Sequence, residues 1–253
     1  MRYDAGAHGP LAVLQHEVRA ALARADAHAD PALEAGKRAN VALAARAFDG
    51  LALEPGRPLS FWRTLGRPSQ RRGFTFGMEL RGGCVVPSIG GGLCLLSNAL
   101  FELAVRAGWR IDERHGHSLE AIPPPPGSVT LDATVAWPDV DLVVAPPERA
   151  RLVVAIDGDA LVVSAFGARS PACRVELAQE EQVEARGDER VRRARVVRRR
   201  LDGDGRVVAT DEVARGERRI LAPEELGRTC LSCGETACQD RPAAEVLVML
   251  GRR

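Results

Sequence analysis

The stretch PSIGGGLCLLSNALFELAVRAGW, residues 87–109, constrains the chain more than any other. A proline and three consecutive glycines disfavour helix before Leu93. Leu96, Leu100, Leu103 and Ala107 then recur at helical spacing. The chain must turn sharply and enter a helix running from about Cys94 to Ala107. A thiol at that point meets unpaired N–H groups and the positive end of the helix dipole. Both favour the thiolate, the form that attacks carbonyls and binds metals. The same N–H groups can receive an oxyanion, and Gly90, Gly91 and Gly92 let a ligand approach the backbone.

Elsewhere the pattern divides the chain. Leu11, Leu14, Val18 and Leu22 form a helix-like stripe over residues 10–25. PALEAGKRANVALAARAFDG predicts a second helix, with Gly50 as its stop. Residues 53–83 are broken too often by Pro and Gly to form one element. After Gly108 the spacing predicts short strands. WRIDERHGHSLEAI and VTLDATVAW flank the rigid PPPPG, and two hairpins follow, around Asp157-Gly158-Asp159 and around the DGDG at 202–205. The arginine-rich RVRRARVVRRR is flanked by acidic residues and reads as the solvated face of a strand pair. The divisions expected are an N-terminal helical segment 1–50, a core 51–145, a β-rich part 146–222 and a cysteine-rich tail 223–253.

A cysteine nucleophile needs a base within hydrogen-bond reach, and the base needs an orienting group. ERHGHS supplies His115 and His117 on what reads as the next strand, and TLDATV supplies Asp132 on the strand after. A regular strand would put both histidines on one face. His117 is the favoured base, because His115 sits among charged residues. Ser97 and Asn98, one turn into the helix, join the three glycines as expected substrate contacts.

These residues resemble the VanW family. The resemblance is carried by KRANVALAARAFDGLALEPGRPLSFWRTLGRPSQRRGFTFG, then GGGLCLLSN, ERHGHS, DATV and DLVV, from about Lys37 to Val144. Leu95 departs from it, standing where a glutamine is expected. The family resemblance implies no activity by itself. The order of cysteine at a helix start, histidine, then aspartate is also similar to transglutaminase-like and papain-like enzymes. That likeness implies attack by Cys94 on an amide or ester carbonyl, with His117 or His115 moving the proton and Asp132 orienting it.

A second cysteine group, Cys230, Cys233 and Cys238, has the spacing C-x2-C-x4-C. Two thiolates two residues apart can chelate one ion. Three ligands are one short of a closed zinc site or a fully ligated iron–sulfur cluster. The fourth could be Cys94, Cys84, Cys173, a histidine or an exogenous ligand.

The net charge of +1 gives no global attraction to nucleic acid or anionic lipid. No apolar run approaches the ~20 residues of a membrane span. The opening residues lack the pattern of a secretory signal, so a cytoplasmic location is expected, where cysteines serve metals or catalysis more than disulfides. The expected protein is α+β: N-terminal helices, a transglutaminase- or papain-like helix-then-sheet core, and a β-rich C-terminal part with a metal tail. Three functions remain open. One is thiol-dependent acyl transfer or amide hydrolysis on a small peptide or amino-acid derivative. Another is an iron–sulfur or zinc enzyme with Cys94 as a ligand. The third is a binding module whose glycine turn grips an anion.

Overall fold

The computed structural model describes residues 11–23, 30–121 and 127–222, with isolated positions at 124, 225, 228–231, 233, 238, 246 and 250. Two helices anticipated from spacing are present. Asp30 caps α1 (Pro31–Phe48) by accepting the N–H groups of Ala32 and Leu33. The helix buries Leu33, Val41, Ala44, Ala45 and Phe48 along one face. Helix α3 (Cys94–Arg106) buries Leu96, Leu100, Leu103 and Ala104, while the five-residue α2 (Phe61–Leu65) lies between them in sequence.

Residues 13–21 correct the helical expectation for the N-terminal stripe. They form strand β1 (Val13–Ala21), antiparallel to β10 (Ala160–Gly167). Its Leu14 is 48% exposed while Val18 is buried, so one side of an edge strand accounts for a spacing that also suits a helix. The sheet is ordered β1-β10-β9-β2, with β9 at Ala150–Asp157 and β2 at Ala52–Leu53. Helix α1 packs on β9, and α3 packs on β1 and β10.

The site lies beside smaller pieces of sheet. Strands β3 (Leu59–Ser60), β8 (Val143–Ala145) and β6 (Arg110–Glu113) form one of them. Strands β4 (Phe76–Arg81) and β5 (Cys84–Ile89) form a hairpin that delivers the glycine turn. Both C-terminal hairpins are present. The second grows into a long sheet of β11 (Arg174–Arg186), β12 (Glu189–Leu201) and β13 (Val207–Ile220), with β7 (Leu119–Glu120) parallel to β13. Its arginines pair with acidic neighbours across the strands, as the solvated-face reading anticipates: Arg193 meets Glu217 at 2.8 Å and Arg195 meets Glu212 at 2.7 Å. One hydrophobic core runs from Val18 of β1 through both long helices to Val196, Val213 and Ala214 at the root of this sheet. The architecture is α+β and rich in strand.

Candidate active site

Three glycines allow the backbones around Cys94 to touch. A Cβ on Gly36 of α1 would sit 1.8 Å from the Phe76 carbonyl oxygen, and one on Gly77 would sit 2.2 Å from that of Gly91. A Cβ on Gly91 would in turn meet the Gly77 carbonyl carbon at 2.4 Å. Helix α1, strand β4 and the glycine turn are thus stacked without side chains between them. Buried Asn40 of α1 completes the stack. Its Nδ2 donates to the carbonyls of Thr75 and Gly91, and its Oδ1 accepts from Thr75 N–H. The turn is therefore held from behind, and α3 begins at a fixed point.

No side chain caps the start of α3. The N–H groups of Leu95, Leu96 and Ser97 already donate to the carbonyls of Gly92 and Leu93. Among the described residues, the Cys94 N–H is then the first donor of the helix left for a ligand.

His117 and Asp132 reach Cys94 from segments that are not regular strands. Strand β6 ends at Glu113, and His117 lies in the irregular segment before β7. Asp132 lies in an irregular stretch that, among the described residues, pairs through the isolated bridges of His115 with Thr134 and of Ala136 with Val140. This corrects the expectation of a histidine strand followed by an aspartate strand. Side chains of α3 replace the missing ladder: Ser97 Oγ donates to the Ala133 carbonyl at 2.6 Å, and Asn98 Oδ1 accepts the Ala133 N–H at 2.7 Å. Ser97 and Asn98, expected to contact substrate, instead grip the backbone between Asp132 and Thr134.

The irregular chain also separates the histidines. His115 Nε2 is 3.0 Å from Glu113 Oε1, on an exposed side. His117 Nδ1 is 3.0 Å from Asp132 Oδ2, the same oxygen that accepts the His117 backbone N–H at 2.8 Å. With Nδ1 committed to the carboxylate, Nε2 is the ring nitrogen left over, and His117 lines the same cleft as Cys94. Cys94 Sγ also lies 3.6 Å from Thr134 Oγ1.

The electrostatics follow from this contact order. Burial pushes the Cys94 thiol up, but the hydrogen bond and charge of His117, with lesser help from Val135 and Thr134, hold it below its ordinary value. Burial lowers His117, yet its bonds to Asp132 and Cys94 raise it to about 9. Burial also acts to raise Asp132, but His117 and the guanidinium groups of Arg114 and Arg218 bring it to about 2. The two shifts run in opposite directions, the Cys94 thiol downward and the His117 imidazole upward, with an ionised Asp132 on the far side of the ring. Arg114 fixes that carboxylate: Nη2 donates to Asp132 Oδ1 at 2.6 Å and Nε to the Asp132 carbonyl at 2.7 Å. Its guanidinium also lies over the Phe101 ring of α3. Arg114 and Asn40 were not anticipated as part of this site. The position of Asn40 beside Val41 and Ala44 on the buried face of α1, which also carries Lys37, was the available signal.

Cys94 and His117 open on a cleft of about 540 Å³ whose walls include Trp62, Met78, Ile89 and Trp137. Trp62 is buried, donates from Nε1 to the Val140 carbonyl and meets Trp137 edge-on at 5.7 Å between ring centroids. Trp137 is 44% exposed at the cleft.

Of the C-terminal cysteines, Cys230 lies beside β5. Residues 228–230 run along β5, where Val85 N–H donates to the Arg228 carbonyl and Cys230 N–H to the Val85 carbonyl. Among the described residues, no three His, Cys, Asp or Glu side chains form a group that could hold a metal ion. Most of the tail around Cys233 and Cys238 lies outside the described residues.

The fold and this site define an α+β domain with a cysteine, histidine and aspartate gathered at a glycine-led helix start. The chain belongs to the VanW-like family, whose model, described as VanW like protein, matches residues 36–164. It is 27% identical over 172 residues to the vancomycin B-type resistance protein VanW of Enterococcus faecalis, covering 66% of this chain and 62% of that protein. It is 33% identical over 98 residues to the uncharacterized protein YoaR of Bacillus subtilis, covering 39% of this chain and 31% of that one. The matches therefore span less than two thirds of either relative's length. No solved structure matches, so the transglutaminase- and papain-like likeness has no support from comparison. No helix among the described residues is long and apolar enough to cross a membrane.

Proposed function

We propose that Cys94 is the nucleophile of a thiol-dependent acyl transferase or amide hydrolase acting on a small peptide or amino-acid derivative. The observation that carries this reading is the convergence of three separate segments: Cys94 and His117 line one open cleft, and His117 Nδ1 lies 3.0 Å from Asp132 Oδ2. The thiolate attacks the carbonyl carbon, forming a C–S bond, and the Cys94 N–H is placed to receive the developing oxyanion. Collapse of the tetrahedral species breaks the C–N bond, and the His117 Nε2 proton passes to the leaving amine. Water, or an acceptor amine, then attacks the thioester. His117 takes its proton, and the thiolate is released. Asp132 keeps the Nδ1 side of the ring occupied, so that Nε2 faces sulfur throughout.

The direct test is acylation by p-nitrophenyl acetate, followed by intact mass. The expected result is one acetyl group on Cys94, absent in Cys94→Ala and long-lived in His117→Ala. Acetyl distributed over other residues, or retained in Cys94→Ala, would overturn the proposal.

A further inference from the structure

The charges around the cleft are unevenly matched. Arg81 pairs with Glu79 at 2.8 Å within it. Arg67 lines the same cleft and has no carboxylate partner among the described residues. The residue is exposed, but the backbone that carries it is held. Arg72 clamps the backbone on which it sits, donating from Nη1 to the Arg67 carbonyl at 2.8 Å and from Nη2 to that of Leu65 at 2.5 Å. The following residue, Pro68, packs so closely on the glycine turn that a Cβ on Gly90 would lie 2.8 Å from the proline Cβ. The segment carrying Arg67 is thus seated on the turn that leads into Cys94.

We infer that Arg67 is an anion subsite of the Cys94 cleft, selecting acyl substrates that carry a carboxylate near the carbonyl under attack. This rests on the reading of Cys94 as a nucleophile and names its substrate class. A guanidinium offers paired donors matching the geometry of a carboxylate. An acidic amino-acid derivative, or a peptide with a free C-terminus, has that group within a few bonds of its amide. No covalent chemistry is asked of Arg67; it orients the substrate by charge and hydrogen bonding.

The test uses two alkylating probes that differ only in charge, N-bromoacetylglycine and N-bromoacetylglycinamide. The rate of Cys94 modification by each is followed by intact mass in wild type, Arg67→Gln and Arg67→Lys. The readout is the ratio of the anionic to the neutral probe. In Arg67→Gln the ratio is expected to fall by about two- to fivefold, the range of an exposed ion pair. It is expected to be largely retained in Arg67→Lys, and to shrink in wild type at high salt. An unchanged ratio in Arg67→Gln would overturn the subsite while leaving Cys94 as nucleophile. Failure of both probes to modify Cys94 in wild type would defeat the nucleophile reading, and the subsite with it.

Discussion

Around Cys94 the chain is held by backbone contact and buried polar bonds, whereas the sheet of β11, β12 and β13 is held by long ladders under a coat of surface charges. In the first region Gly36, Gly77 and Gly91 leave no room for a methyl group, and Asn40 satisfies three backbone groups at once. In the second, arginines face glutamates across strands in water, as Arg195 does with Glu180 and Glu212. Tolerance to substitution should differ accordingly. Packed backbone cannot relax around an added atom, while a solvated ion pair yields its small Coulomb gain to solvent and salt. A reactive thiol needs the first kind of support, because its attack geometry must be fixed before substrate arrives.

Four changes would break or sharpen this contrast. The largest effect is expected from Gly36→Ala, whose Cβ would fall 1.8 Å from the Phe76 carbonyl oxygen. Chemical denaturation should show a loss of about 3 kcal/mol. Asn40→Ala removes the side-chain partner of the buried Gly91 carbonyl and of the Thr75 N–H and should cost about 1–3 kcal/mol in the same measurement. It should also slow alkylation of Cys94, since the turn before the helix loses its anchor. Asp132→Asn tests the electrostatic side. Asp132 titrates at about 2 in the folded chain against an ordinary 3.8, so its contribution is fully present above 3.8 and is lost as pH falls through about 2. The variant should lose most of that acid-range dependence, and His117 should titrate below its wild-type value by NMR. The smallest effect is expected from Arg195→Ala in the long sheet, within about 0.5 kcal/mol. A loss there as large as that of Asn40→Ala would erase the contrast.

One arginine of the long sheet belongs to the first kind. Arg198 is 2% exposed and donates to the carbonyls of Val105 and Trp109 as well as to Asp211. It fastens the root of the sheet to the end of α3. Nothing in RVRRARVVRRR distinguishes it from its neighbours, since the strand's alternation says only which residues share a face, not which face meets the helix.

The same distinction explains what could be read from the residues. Helices α1 and α3 were legible because their apolar stripes, the Pro near the start of α1 and the glycine turn before α3 all agree. Both C-terminal hairpins were legible from Asp-Gly turns between alternating strands. The N-terminal stripe misled because β1 is an edge strand that buries little, and its partner β10 lies far along the chain. Cys94, His117 and Asp132 were legible as residue types in a chemically sensible order. Their supports were not. Arg114, Asn40 and the grip of Ser97 and Asn98 on Ala133 depend on tertiary placement, which local spacing does not encode.

The most direct measurement is the pH dependence of Cys94 alkylation by iodoacetamide in wild type and in His117→Ala. The contact with His117 predicts a wild-type reactivity profile displaced to lower pH than that of an ordinary thiol. Removing the imidazole should return Cys94 to ordinary or higher titration. A wild-type Cys94 that titrates as an isolated thiol, unaltered by the loss of His117, would contradict the site.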